Sequence, residues 1–286
     1  MDALHIADDW RSAIDAILAG ERRRVVVIGP TDSGKSSFVA ALLAAAPDFE
    51  LIDADPGQKM VGAPGTVSLG RSGEARLELG GFVFIGSTSA SNIFLIARAC
   101  EALRAASPRF VANTSGFVEK LGIRLQSATI SALAADMIVA LGDEAAVAPI
   151  LRKHADVPVL RVAPSRSAKL KTPAARARLR QSSFAAALAG AESRTIADAL
   201  FEPAPPAAID VGGRHPVCSL AGADGADTAI GIVEAAEAGR VRLFAPPTVR
   251  PAATVRLGNM WAERKESGWS LLDTLHPSWV HDEPEG

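Results

Sequence analysis

Apolar residues recur along this chain with two different periods, and the switches between them lay out its elements. Trp10, Ile14, Ile17 and Leu18 fall at helical spacing, which predicts an amphipathic helix over 10–18 with Trp10 as a core-facing anchor. The unbroken run Val25-Val26-Val27-Ile28 reads as a strand buried on both faces, followed by an alanine- and leucine-rich helix over 37–46. A second strand is expected over 50–54. Residues 62–86 then turn to short alternating pieces, 66–69, 76–79 and 82–85, separated by Gly70, Gly73 and Gly80-Gly81, which read as a strand excursion inserted into the sheet. A helix over 92–106, a strand over 109–113, a helix over 124–134, a strand over 137–141 and a helix over 174–188 follow.

Strands alternating with helices of this length imply an α/β fold, a parallel sheet with helices on both faces. Right-handed crossovers bring the strand ends, and the loops leaving them, to one edge of that sheet. The Pro-Ala-Pro-Pro stretch at 203–206 marks a linker, and 215–256 alternates with Gly punctuation and no long helical pattern. We therefore expect a main domain over 1–200 and a small β-rich C-terminal domain over 201–286, frayed beyond 277.

Composition narrows the function classes. The 286 residues are 48% hydrophobic and 22% charged with a formal net charge of -2, so the chain is no globally basic nucleic-acid coat, and contacts to a nucleic acid must be local. Two cysteines far apart, Cys100 and Cys218, carry no metal-ligand spacing and are expected as reduced, buried thiols. No apolar run approaches the length of a membrane span, and Met1 to His5 lack the basic start and apolar core of a signal peptide. A cytoplasmic protein without a membrane partner is the expectation.

The chemistry starts where the first strand ends. Gly29-Pro30-Thr31-Asp32-Ser33-Gly34-Lys35-Ser36 fits G-x-x-x-x-G-K-[ST], with a strand before it and a helix after it. Backbone amides of Gly29, Thr31, Asp32, Ser33, Gly34, Lys35, Ser36 and Ser37 can converge on one phosphate, Lys35 can reach the β and γ phosphates, and the Ser36 hydroxyl can hold Mg²⁺. ATP or GTP is the expected nucleotide. At the exit of the second strand, Asp53 and Asp55 are two residues apart on an extended segment and are expected to point the same way. One would support the metal and the other would approach an attacking hydroxyl, as phosphoryl transfer requires.

These motifs resemble the P-loop polynucleotide 5′-hydroxyl kinases, which include the RNA kinase of pre-mRNA cleavage and tRNA splicing and the kinases of ribosomal RNA processing. The resemblance spans residues 25–190 and rests on the phosphate loop, on Asp53-Ala54-Asp55-Pro56-Gly57-Gln58, on Pro64-Gly65-Thr66-Val67-Ser68-Leu69, on Asn113-Thr114-Ser115-Gly116-Phe117, and on Arg176 with Arg180. It implies that Asp53 supports Mg²⁺ and that Asp55 takes the proton from a 5′-hydroxyl of RNA or DNA. It further implies a substrate clasp at Gly86, Ser87 and Thr88 and at 113–117 with Asn113, Thr114 and Phe117, an arginine lid carrying Arg176 and Arg180, and Gln58 as a further substrate-binding residue. Two departures stand out: Phe117 replaces the usual Trp of the clasp, and a glycine that normally follows is replaced within Val118-Glu119-Lys120-Leu121. The chain is also expected to lack the N-terminal β domain of many larger relatives.

Arg166, Lys169, Lys171, Arg176, Arg178 and Arg180 concentrate positive charge that suits a nucleic-acid backbone or a solvated helix face. A non-catalytic nucleotide-binding scaffold and a small-metabolite kinase are the alternatives. A guanine-type switch is disfavoured, because Asn113 is followed by Thr114-Ser115-Gly116 and no Asn-Lys-x-Asp segment occurs.

Overall fold

The structure, a computed structural model, describes residues 8–74, 76–164, 170–203, 209–237, 239–247, 252–266 and 268–272. Their order is α1 (Asp8–Ala19), β1 (Arg24–Ile28), α2 (Lys35–Ala45), β2 (Glu50–Asp53), β3 (Thr66–Ser72), β4 (Leu77–Phe84), α3 (Ile93–Ala106), β5 (Phe110–Asn113), α4 (Leu121–Leu133), β6 (Met137–Leu141), α5 (Glu144–Leu151), β7 (Val159–Val162) and α6 (Pro173–Ala187), then β8 (Glu192–Ala197), β9 (Leu200–Glu202), β10 (Arg214–Ala221), β11 (Asp227–Glu237), β12 (Arg240–Ala245), β13 (Thr254–Lys265) and β14 (Gly268–Leu272). Contacts group the chain into two compact units, one with residues up to 85 and 89–176, the other with 86–88 and the residues from 177 onward.

The first unit is built on a sheet of order β4-β3-β2-β5-β1-β6-β7. Strands β2, β5, β1, β6 and β7 are parallel. The hairpin β3–β4 joins them antiparallel at one edge. Alternation along β1 feeds two cores: Val26 and Ile28 face the helices α3, α4 and α5, while Val25 and Val27 face α1 and α2. Trp10 is the anchor of the second core, with its ring edge-on to Phe38 at 5.5 Å and its Nε1 donating to the Ala163 carbonyl at 2.9 Å.

The three pieces expected over 66–85 are two strands, because β4 runs straight through Gly80-Gly81. An edge strand that buries little tolerates residues without side chains, and the irregularity falls instead on the partner, between Leu69 and Gly70. Helix α5 and strand β7 carry no strong period in the sequence and extend the sheet beyond β6.

In the second unit the order is β14-β13-β10-β11-β12-β8, with β9 paired to β13. Strands β8 and β9 thus belong to this β-rich unit through β12 and β13, although both begin before position 201. Its core gathers Cys218, Leu220, Val233, Val241, Leu243 and Val255. Helix α6 ties to β14 through Gln181, which donates to the Trp269 carbonyl at 3.0 Å and accepts from the Leu271 amide at 2.8 Å. Both cysteines are free and buried, and burial pushes each thiol up to about 12. Among the described residues no helix is long and apolar enough to cross a membrane. Arg166, Lys169, most of the 203–206 linker and the tail beyond 272 lie outside the described residues.

Replacing Trp10 by Ala should lower the unfolding free energy by about 3–5 kcal/mol, from the cavity and the orphaned Ala163 carbonyl, as read by urea denaturation.

Candidate functional site

Residues 29–34 link β1 to α2, and three of them hold backbone angles that favour glycine or a small polar residue: Gly29 at φ 155°, Asp32 at 59° and Gly34 at 97°. Gly34 caps α2 without a side-chain hydrogen bond, and no acid stands in the first turn. The first amides of α2 therefore have no partner within the helix and present the positive end of its dipole, which fits a phosphate. Lys35 is buried and donates through Nζ to the carbonyls of Gly29 (2.8 Å) and Pro30 (2.7 Å). Burial lowers its pKa to about 8, against the opposing pull of the nearby Asp55 and Asp32 carboxylates. The Ser36 side chain is exposed, and the Ser33 Oγ is buried without a hydrogen-bond partner.

At the exit of β2 the two acids part company. Asp53, expected to share a direction with Asp55, is fully buried: Oδ2 accepts from the Met60 amide at 2.6 Å and pairs with Lys59 at 3.4 Å, while Oδ1 accepts from Asn113 Nδ2 at 3.1 Å. Lys59 is buried with it and donates to the carbonyls of Asp53 (2.9 Å) and Thr66 (3.1 Å). The strand ends at Asp53, so the alternation that would align the two side chains stops there. Asp55 instead closes a turn of its own, with Oδ1 accepting from the amides of Gly57 (2.8 Å) and Gln58 (3.0 Å). Burial, reinforced by the Asp53 charge, raises its pKa, and the two amides and Lys59 work in the other direction. Gln58 donates to Gly57 O at 3.1 Å, and its Oε1 is buried without a partner.

The exit of β5 buttresses the phosphate loop. Thr114 Oγ1 donates to the Val27 carbonyl at 2.8 Å, so this hydroxyl braces β1. Gly116 lies against Thr31 so closely that a Cβ there would stand 2.6 Å from the Thr31 amide nitrogen. Phe117 is 40% exposed, and Gly122 makes room beneath it. Asn113 keeps Oδ1 buried and unpartnered. Gln126, from α4, fixes the segment by donating to the carbonyls of Ser115 (2.8 Å) and Phe117 (3.2 Å). Within the segment 118–121, Lys120 sits at φ 48°, where a glycine would be unstrained.

Arg176 and Arg180 share α6 one turn apart. Arg176 donates to Asp32 Oδ2 at 2.7 Å and to the Lys171 carbonyl at 3.2 Å, and the same Asp32 oxygen accepts from the Lys171 amide at 3.1 Å. The start of α6 is thus tied to the phosphate loop. Arg180 groups with the second unit, as do Gly86, Ser87 and Thr88. Gly86 is held there by β13, its carbonyl accepting from the Asn259 amide at 2.7 Å and its backbone closely packed on Gly258.

Two contributors carry little signal in the sequence. Lys59 follows Gln58 as an ordinary charged loop residue, and only its burial beside Asp53 shows its part. Gln126 is an ordinary polar residue within the helical pattern, and only its burial beneath the loop before α4 shows its part.

A family profile described as the mRNA cleavage and polyadenylation factor CLP1 P-loop matches residues 29–188, more than half of the chain. Among curated proteins, the chain is similar to a protein CLP1 homolog of Dictyostelium discoideum, 32% identical over 146 residues. That match covers 42% of this chain and 32% of the relative, so the chain aligns with about a third of it. Among solved structures, the Clp1p of a wild-type Clp1p-Pcf11p complex has a TM-score of 0.66 at 13% identity, covering 89% of this chain and 79% of that one. A second, described by an extended Pcf11p–Clp1p interface and a structural basis for ATP loss in a point mutant, has the same TM-score and identity, with coverages of 87% and 77%. At this identity the structures establish the fold.

Replacing Gly116 by Ala should push the Thr31 backbone out of line and weaken triphosphate binding by about tenfold or more, measured by calorimetric titration, with the fold retained. Lys59→Met should cost about 3–5 kcal/mol in stability by leaving the Asp53 charge buried and unpaired, and Lys59→Met with Asp53→Asn should recover part of it.

Proposed function

We propose that this chain, which belongs to the mRNA cleavage and polyadenylation factor CLP1 P-loop family, transfers the γ-phosphate of ATP or GTP to the 5′-hydroxyl end of RNA or DNA. One observation carries this reading: Asp55, the spare carboxylate, is oriented by two amides and lies in electrostatic reach of Lys35 in the phosphate loop. A site that only stored nucleotide has no use for a base there. The hydroxyl oxygen attacks the γ phosphorus, its new bond to phosphorus forming as the bond to the β,γ-bridging oxygen breaks. The diphosphate leaves, and the hydroxyl proton passes to Asp55.

Triphosphate binding draws Lys35 from the carbonyls of Gly29 and Pro30 onto the phosphates, while the amides from Thr31 to Ser37 receive the oxygens. Mg²⁺, when bound, offsets charge on the phosphates. The donor set suits it, since this ion keeps most of its waters and here needs one hydroxyl, that of Ser36, beside phosphate oxygens. Asp53 acts one layer below by orienting Asn113, whose unpartnered Oδ1 would accept a hydrogen bond from the incoming hydroxyl. Phe117 receives the terminal base, and Gln58 and Thr114 shape that end of the site. Arg176, released from Asp32, neutralises the transferring phosphoryl group. The loss of ATP in a point mutant of a solved structural relative supports ATP as the donor.

A nucleotide-binding scaffold is the second reading, and the engagement of Arg176 by Asp32 favours it. Incubation with labelled ATP, Mg²⁺ and a 5′-hydroxyl oligonucleotide separates the two. Wild-type protein should label the oligonucleotide, and Asp55→Asn should lower turnover by about 10²–10⁴-fold while nucleotide affinity holds. Absence of transfer from protein that binds ATP would leave the scaffold.

The pH profile of kcat/KM gives a further check. The base must be ionised, so activity rises as Asp55 loses its proton above the ordinary carboxylate range, and the loop lysine must be charged, so activity falls above about 8. Nucleotide affinity alone should fall by up to about tenfold per pH unit on that upper limb.

A further inference from the structure

Two exposed rings stand at the sheet edge that carries the phosphate loop. Phe94, 67% exposed, lies in the first turn of α3, and Phe117 shortly precedes α4. Strand β4 runs in the same direction as β2 and β5, so α3, like α4, begins at the C-terminal end of the strands. The two helices contact each other and pack on one face through Ile96, Ala99, Cys100 and Leu103 from α3 and Leu125, Ile130 and Leu133 from α4. Both helices therefore present their first turns at that same end of the sheet. Phe94 lies outside that core.

Charge accompanies the rings. The Arg98 guanidinium lies over the Phe94 ring, 5.7 Å from its centre. Lys120 and Arg124 stand at the start of α4, and the segments 92–98 and 117–124 hold these three cations against one acid, Glu119. An exposed phenyl ring beside a guanidinium, with further cations a turn away, is the composition of a single-strand platform: every base has a face to stack, and every phosphate a charge to meet.

We propose that Phe94 stacks a base downstream of the one at Phe117, with Arg98, Lys120 and Arg124 drawing the intervening phosphates, so that the α3–α4 edge is a track for single-stranded nucleic acid. This rests on the reading of the chain as a 5′-hydroxyl kinase and extends its acceptor from one terminal nucleotide to several. It predicts a preference for longer acceptors that resides in one removable ring.

The test measures binding of a 5′-hydroxyl dinucleotide and octanucleotide to the full chain by fluorescence anisotropy, with phosphoryl transfer followed in parallel. Wild-type protein should hold the octanucleotide more tightly. Phe94→Ala should weaken the octanucleotide by about 5- to 100-fold and leave the dinucleotide within about twofold, while Phe94→Trp should keep the preference. Arg98→Gln with Arg124→Gln should flatten the salt dependence of octanucleotide binding by about 0.7 in log–log slope for each phosphate no longer neutralised. A length preference that survives Phe94→Ala, or an equal weakening for both oligonucleotides, would overturn the track while leaving the kinase reading intact; such a surface would instead suit a protein partner. Failure of wild-type protein to bind or phosphorylate any oligonucleotide, with ATP binding retained, would remove both.

Discussion

A loop that turns its amides toward an anion spends the groups that would otherwise hold it in shape, so its grip must come from behind. Here β1 lies between β5 and β6, and the exits of both neighbours close on the loop. From β5 come the Thr114 hydroxyl on the Val27 carbonyl and Gly116 against Thr31. From β6 come the Leu141 carbonyl, packed on Gly29, and Gly142, whose missing Cβ would stand 3.0 Å from Pro30 Cδ. Three of these contacts exist only because of a glycine, two bringing backbone against backbone and the third bringing backbone against the Pro30 ring. The anion site is thus a property of three strand exits, and the segment that carries Phe117 is built into its wall.

The exit of β2 shows how a second constraint divides labour between similar residues. Asp53 and Asp55 have the same chemistry, yet the strand ends between them. One is drawn into the sheet, where burying its charge costs several kcal/mol that Lys59, Asn113 and the Met60 amide offset. The other stays at the rim on two amides. Burial raises the pKa of the rim carboxylate, the neighbouring Asp53 charge adds to this, and the two amides and Lys59 limit the effect. Two residues of one type thus meet different surroundings within a single strand exit.

Much of this was legible in the sequence because it rests on short-range rules. The apolar run before Gly29, the glycines and lysine of the loop, and the Pro-Gly turn after Asp55 specify strand, cradle and turn within a few residues each. The match of the family profile to residues 29–188 falls on the same segments. What escaped depends on contacts between distant segments. The burial of Lys59 needs the Thr66 carbonyl, and the hold of Gln126 on the loop before α4 needs the helix to start at Leu121, a turn earlier than its apolar pattern suggests. The tie between Asp32 and Arg176 joins residues 144 apart. A period of hydrophobic residues carries no record of such pairings, since polar side chains at these positions look like solvent-facing ones until the partner is in place.

Lys120 brings these threads together. Its φ of 48° and ψ of −110° lie outside the comfortable regions for a residue with a side chain, at a cost of about 1–3 kcal/mol. The conformation persists because its surroundings over-determine it. Gln126 fixes the carbonyls before it, the Gly122 amide closes on the Glu119 carbonyl at 2.7 Å, the Ile123 amide closes on the Lys120 carbonyl at 3.2 Å, and Gly122 is pinned beneath Phe117. A glycine would relieve the strain and leave the turn unchanged, but it would carry no charge. With lysine the chain bears a strained backbone and sets a cation three residues from an exposed ring, beside the loop whose wall that ring's segment forms. Strain held at a site by its scaffold, with nothing in the core requiring it, places the reason for the residue outside the fold and in what the ring and the cation meet together.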